Sequence, residues 1–188
     1  MKKLLSLILV AAAIAVFSAC NSDDGNSLNL DDYQDWRKEN EAWVTELMNR
    51  KNADGSAYYT TVVPVWDPGA YVLMHQFNNP AETADNLTPL YTSTVDVRYI
   101  GRNCKGEPFD SSYTQTAYGP GIGRFTLSGV ISGWTIAMER MHVGDSVEII
   151  IPWQSGYGTN YNSAILPYSA LQFNVRLVDI YKYEAPNN

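Results

Sequence analysis

Few residues in this chain have the types and spacing that metal, nucleotide or nucleophilic chemistry needs. Two histidines and two cysteines are too few for a zinc cluster of the usual kind, and there is no HExxH, no paired CxxC and no Walker-type glycine loop. His75 falls in a strand context and His142 in a turn, far apart in sequence and without a paired ligand, so both are expected to be structural or solvent-exposed. The glycine run Gly119-Pro120-Gly121-Ile122-Gly123 has no lysine and no strand-to-helix context, which excludes a phosphate cradle. No metal and no cofactor is expected. The 188 residues carry 13 Lys+Arg against 20 Asp+Glu, a formal net charge of −7, and the basic excess left by polyanion binding is missing. Nucleic acid is not an expected partner.

The first cysteine invites a covalent reading. Lys2 and Lys3 precede an apolar run from Leu4 to Phe17, too short to span a bilayer comfortably, and small residues follow at Ser18 and Ala19. The run ends in FSAC, which resembles a bacterial lipobox and makes Cys20 the acylated first residue of the mature protein; the alternative is an ordinary secretory signal with an incidental cysteine. Each buried methylene of an acyl chain contributes about 0.8 kcal/mol, so a multiply acylated Cys20 would hold a domain on a membrane without a spanning helix. Removal of residues 1–19 takes Lys2 and Lys3 with it and leaves 11 basic residues against 20 acidic ones, a net charge of −9. Asn21 to Asn29 is small, polar and aperiodic, a tether whose Ser-Asp-Asp resembles the surface-export signal of Bacteroidetes lipoproteins. The expected location is the cell envelope, on the periplasmic or the outer face. With Cys20 acylated, Cys104 is left without a disulfide partner.

The elements that follow must build whatever site exists. From Asp31 to Lys51, Tyr33, Trp36, Trp43 and Leu47 take a 3-4-3-4 spacing with Asn40 in the remaining slot, an amphipathic helix. Asp31 and Asp32 begin it and Arg50 and Lys51 end it, as the helix dipole favours, before the Asp54-Gly55 break. Its Trp stripe either packs on the neighbouring domain, the expected case, or forms a partner-binding face. Beyond Gly55, Tyr58 to Trp66 and Tyr71 to Phe77 read as strands separated by Asp67-Pro68-Gly69, and Asn78 to Leu90 reads as a loop. Val95, Val97 and Tyr99 alternate with Asp96 and Arg98; Leu171 to Leu177 gives the cleanest period of two; Val147 to Ile151 is a further strand. Ile131, Trp134, Met138 and Met141 share one face of a short helix. The fold class is α+β, an antiparallel sheet with one helix across its concave face and an extra helix ahead of it.

At this point the residues take on a family likeness. VRYIG (97–101), FDSS (109–112), VISGW (130–134), VGD (143–145), YG (157–158) and ILPYSALQFNVRL (165–177), in this order and spacing, resemble the FKBP-type peptidyl-prolyl isomerases. The likeness covers about residues 95–181 and, more loosely, the strands from Tyr58. The helix of residues 31–51 lies outside it, and the chain as a whole reads as a lipoprotein signal peptide (1–19), a tether (20–30), the N-terminal helix (31–55), the isomerase domain (56–183) and a tail (184–188). The likeness implies five or six antiparallel strands around the short helix and a hydrophobic pocket of Tyr99, Phe109, Asp110, Val130, Ile131, Trp134, Tyr157, Ile165 and Phe173. In that pocket Trp134 is the floor under a proline ring, and Tyr99, Phe109, Val130 and Phe173 are walls. The Tyr157 hydroxyl and the Ile131 N–H donate to substrate carbonyls, Ile165 closes the rim, and Asp110 orients substrate. The implied partners are proline-containing polypeptides and macrolide-type inhibitors, and the implied activity is prolyl isomerisation of exported proteins. A non-catalytic module that holds a proline-containing partner loop is the alternative.

Such chemistry needs neither nucleophile nor metal. The barrier to X-Pro rotation, about 18–20 kcal/mol, is lost amide resonance, and the twisted amide has less charge separation than the planar one. A water-free aromatic pocket therefore disfavours the planar form. The loop from Tyr113 to Arg124 departs from the family pattern: a pocket-wall Phe and a basic partner for Asp110 are missing there, and Arg124 is the expected replacement for the latter. Leu166 stands where an Ile-Pro pair is common, and the loop from Gly158 to Ala164 is a residue short.

Overall fold

The computed structural model describes residues 28–161 and 164–183. Cys20, the signal segment, most of the tether and the tail lie outside the described residues. A 3-10 turn (Leu30–Tyr33), capped by the Asn29 side chain accepting from the Asp31 N–H at 3.1 Å, leads into α1 (Gln34–Met48). The helix stops short of the expected Arg50 and Lys51. Asn49 folds its side-chain amide back on the Thr45 carbonyl at 2.8 Å, Arg50 lies over the Tyr58 ring at 4.0 Å, and Lys51 bridges to Ala57. No helix among the described residues is long and apolar enough to cross a membrane.

Seven strands form one antiparallel sheet: β1 (Thr60–Val62), β2 (Val72–Gln76), β3 (Thr94–Asn103), β4 (Pro108–Ser111), β5 (Gly123–Thr126), β6 (Ser146–Ile151) and β7 (Leu171–Lys182). The order is β1-β2-β6-β7-β3-β4, with β5 also on β3. The count exceeds the expected five or six because β3 is ten residues long and shares one edge between two short partners. Thr94 to Val97 pair with β5, and Ile100 to Arg102 pair with β4, across a register shift after Gly101. Strand β1 is shorter than the apolar run it belongs to, which meets Pro64, a residue without an N–H to give to a ladder.

The sheet carries a helix on each face. On one face Val72, Val95, Val97, Tyr99, Ile149, Phe173 and Val175 pack against α2 (Ser132–Met138), whose Trp134, Ile136, Ala137 and Met138 are buried. Gly133 permits this approach, because a Cβ there would run into the Ile151 side chain. On the opposite face Leu73, Ile150, Ala170 and Tyr59 receive Val44, with Trp43 and Leu47 at the margin. The Trp-bearing helix thus packs on its own sheet. Its innermost residues are Asn40 and Val44, and the Trp36 indole donates to Ser169 Oγ at 2.9 Å. Because β6 serves both clusters, it is buried without alternation from Val147 to Ile151, Glu148 included.

Candidate active site

The middle of the helix-bearing face holds a nest of aromatic rings. Strand β3 brings in Tyr99, β7 places Phe173 two strand positions from Leu171, and α2 lifts Trp134 between them. Ring centroids of Tyr99 and Trp134 are 5.2 Å apart at 89°, and those of Trp134 and Phe173 are 5.3 Å apart at 90°. Phe109 meets Phe173 at 5.6 Å and 86°. These edge-to-face contacts set the positive ring edge against a negative face, each contributing about 0.5–1.5 kcal/mol beyond area burial. Gly101, beside Phe173 in the β3–β7 register, lets Phe109 in; a Cβ at that position would lie 2.7 Å from Phe173 Cε1 and 2.8 Å from Phe109 Cζ.

All nine expected residues meet here. Tyr99, Trp134, Ile165 and Phe173 belong to the buried cluster, and Phe109, Val130, Ile131 and Tyr157 pack against it, partly exposed. Asp110 joins through hydrogen bonds: its Oδ2 accepts from the Tyr99 hydroxyl at 2.7 Å and its Oδ1 from the Ser111 N–H at 2.8 Å. Ser112 Oγ in turn accepts from the Tyr99 N–H at 2.9 Å, which locks the β3–β4 edge. Burial first, and the Asp110 hydrogen bond second, push the Tyr99 phenol well above its ordinary pKa. Burial, reinforced by the Asp110 charge, raises Tyr157 as well. Both phenols therefore remain protonated hydrogen-bond donors through the neutral range. No hydrogen bond from the Ile131 N–H is formed among the described residues, although the Ile131 carbonyl accepts from Trp134 at the start of α2.

Two expectations need correction. Arg124 is not the partner of Asp110. It faces Asp96 across the β3–β5 register, with Nε and Nη2 donating to the two carboxylate oxygens at 2.6 and 2.8 Å, and its guanidinium lies over the Tyr181 ring at 3.4 Å. The pairing follows from β5, a strand the glycine-rich composition concealed. Nor is the floor of the pocket open: Trp134 is 1% exposed and Tyr99 is buried completely. Of four cavities of about 290–520 Å³ among the described residues, none is lined by Tyr99, Trp134 or Phe173. Phe125 is a cluster member that sequence reasoning missed, 5.8 Å from Tyr99 and 5.6 Å from Trp134. Its signal was the alternation Phe125, Leu127 between Arg124 and Thr126.

The connection that carries Tyr157 and Ile165 is held by α1 from behind. Asn40 Oδ1 accepts from the Ala170 N–H at 2.8 Å, the Trp153 indole donates to Glu41 at 3.1 Å, and Arg37 lies 5.3 Å from the ring centres of both Trp153 and Tyr168. Tyr168, at φ 63, returns its N–H to the Gly158 carbonyl at 2.9 Å. His75 stacks on Tyr58 at 3.8 Å, and its Nδ1 lies 2.8 Å from the Tyr58 carbonyl. His142 lies 3.7 Å from Asp145, and Cys104 is a free thiol whose pKa burial raises.

The sheet thus packs one short buried helix over a ring nest in which Tyr99 is fully covered, with Tyr157 and Asp110 partly exposed at its margin. Residues 87–178 match the model of the family described as FKBP-type peptidyl-prolyl cis-trans isomerase. Among curated relatives, the FKBP-type isomerase FkpA of Escherichia coli is 35% identical over 99 residues, 53% of this chain and 35% of that protein. The macrophage infectivity potentiator of Trypanosoma cruzi is 34% identical over 108 residues, 55% of this chain and 52% of the relative. The isomerase Mip of Coxiella burnetii is 36% identical over 102 residues, 54% of this chain and 43% of its own. The chain thus spans about a third to a half of the length of these relatives. The fold is shared with the crystal structure of a peptidyl-prolyl cis-trans isomerase from Pseudomonas syringae pv. tomato, at TM-score 0.60 and 24% identity over 84% of this chain and all of that one. FkpA of Escherichia coli superposes at TM-score 0.61 and 24% identity over 80% of this chain and 63% of its own.

Proposed function

We propose that this protein is a prolyl isomerase that rotates X-Pro bonds of exported polypeptides. The observation that carries the reading is the convergence of nine side chains from β3, β4, the segment entering α2, α2 itself, β7 and the β6–β7 connection on one aromatic nest, with the Tyr99 phenol buried in it and the Tyr157 phenol at its edge, both protonated. Trp134 supports the proline ring, with Tyr99, Phe109, Val130 and Phe173 as walls and Ile165 at the rim. The Tyr157 hydroxyl and the Ile131 N–H hold the substrate carbonyls, and Asp110 orients the chain while keeping the Tyr99 hydroxyl in place. Desolvating the planar amide and donating to the neighbouring carbonyls must together lower the barrier by about 4 kcal/mol to give roughly a thousandfold acceleration, since each 1.36 kcal/mol is tenfold. The covered floor means that the proline reaches the indole by displacing one of Phe109, Val130, Ile131 or Tyr157, the partly exposed members of the site. Macrolide-type inhibitors would enter by the same route, and acylation of Cys20 would place the domain at the envelope, beyond the isomerase segment 56–183.

A protease-coupled assay on a proline tetrapeptide with the purified chain tests the reading; a rate proportional to enzyme concentration is expected. The covered Trp134 favours one competitor, a non-catalytic module that holds proline segments. That competitor stands alone if the folded chain at micromolar concentration fails to accelerate the peptide.

A further inference from the structure

We propose that a groove beside the prolyl site, running from Val130 past Tyr91 and Trp66, binds the apolar residues that flank the proline in an unfolded client chain; this rests on the prolyl-isomerase reading. One cavity of about 520 Å³ begins at Val130 and Ser132, on the rim of the aromatic nest, and runs between Tyr91 and Trp66 to Glu139. A second, of about 510 Å³, shares Trp66 and Glu139 and continues past Val65 and Leu87. The two share Trp66 and Glu139 beside α2, and the first reaches the rim of the proposed substrate site at Val130. Its walls are unusual for a surface: Val65 is 91% exposed, Trp66 58%, Leu87 60% and Tyr91 55%. Clustered apolar residues of this size mark a binding surface rather than chance exposure.

The walls are also built before any ligand arrives. Pro64 and Pro68 bracket Val65 and Trp66, and the turn after Trp66 is closed by Asp67, whose carboxylate accepts from the Gly69 N–H at 3.0 Å and whose carbonyl accepts from the Ala70 N–H at 3.1 Å. Proline fixes φ on both sides of the exposed indole, so less freedom is lost on binding. The occupant follows from continuity and charge. A chain whose proline sits over Trp134 has only to continue past Val130 to lie in the trough. A second copy of this protein and an anionic lipid surface both carry charge of the same sign as the chain, net −7, and so gain nothing electrostatically. An extended apolar segment of a client, offered whenever a protein is still unfolded, meets neither obstacle.

The double variant Trp66→Ala/Tyr91→Ala separates the groove from the prolyl site, because neither residue belongs to the buried core. Two substrates are compared, a tetrapeptide that cannot leave the prolyl site and an unfolded protein whose refolding is limited by X-Pro isomerisation. The expected result is a tetrapeptide kcat/KM within twofold of the parent and a fall of tenfold or more on the unfolded protein, with the same circular dichroism. Equal losses on both substrates, or no loss on either, overturn the proposal. So does a parent that sediments as a dimer and a variant that does not, since the trough then serves a second copy. If the parent fails on the tetrapeptide, the isomerase reading falls separately, and the groove is judged by binding of the unfolded protein: an unchanged Kd in the double variant overturns it.

Discussion

Replacing Asn40 by alanine sets helix propensity against tertiary structure. Residue 40 sits in a slot that helical spacing reserves for an apolar side chain, and alanine is the best helix former, so propensity alone predicts a gain of up to about 0.7 kcal/mol. In the fold the opposite holds. Asn40 is completely buried; its Oδ1 accepts from the buried Ala170 N–H at 2.8 Å, and its Nδ2 donates to the Trp36 carbonyl at 2.8 Å. Truncation leaves the Ala170 N–H without a partner in a place water does not reach, at a cost of about 1–3 kcal/mol. The expected net loss is about 2 kcal/mol, which for a chain of this size lowers Tm by roughly 4–8 °C. Thermal unfolding followed at 222 nm reads the global effect, and hydrogen exchange at Ala170 reads local opening of α1, with a loss of protection of about 30-fold for the same 2 kcal/mol. An unchanged or higher Tm together with unchanged Ala170 protection refutes the claim that this amide, rather than the apolar stripe, ties α1 to the sheet.

Other perturbations follow from the site. Gly101→Ala places a methyl within 2.8 Å of both phenylalanine rings, and we expect a loss of about 1–3 kcal/mol in urea unfolding with a parallel fall in prolyl turnover. Tyr157→Phe keeps the ring and removes the donor; kcat/KM on a proline tetrapeptide should fall by at least tenfold while Tm shifts by less than 2 °C, as roughly 0.5 kcal/mol implies. Asp110→Ala releases the Tyr99 hydroxyl, and turnover should weaken without unfolding; unchanged kinetics remove Asp110 from the mechanism. Stability should also fall in acid through Asp145. Burial alone would raise that carboxyl, but hydrogen bonds from the His142 N–H at 2.7 Å, Thr83 at 2.5 Å and Asn78 at 3.2 Å offset it and hold the pKa below the ordinary aspartate range. Its contribution is complete above about pH 4, near the unfolded value, and is lost as pH drops through the folded one. Denaturant midpoints of Asp145→Asn should therefore depend less on pH below 4 than those of the parent.

The parts legible in the sequence are those where one physical cause dominates. β3 and β7 alternate because each passes an apolar face to α2, and the order of FDSS, VISGW and ILPYSALQF sufficed to assemble a site whose members lie up to 74 positions apart, from Tyr99 to Phe173. Where two causes compete, pattern fails. Gly123, Phe125 and the bidentate Arg124 belong to a strand, yet the preceding glycines and Pro120 read as loop. Asn40 looks like a flaw in an apolar stripe until Ala170 is seen across from it. The closure of the floor over Trp134 depends on how Phe109, Ile131 and Tyr157 pack, which no spacing encodes.

The seat of α1 has a consequence for how the chain matures. Leu73, Ile150 and Ala170 come from distant points in the sequence, so the helix leaves the ribosome long before its receptor surface exists. Vectorial synthesis thus presents Trp43, Val44 and Leu47 naked for the passage of more than a hundred residues, and assembly waits on the final strand. Contacts of this reach make folding slow.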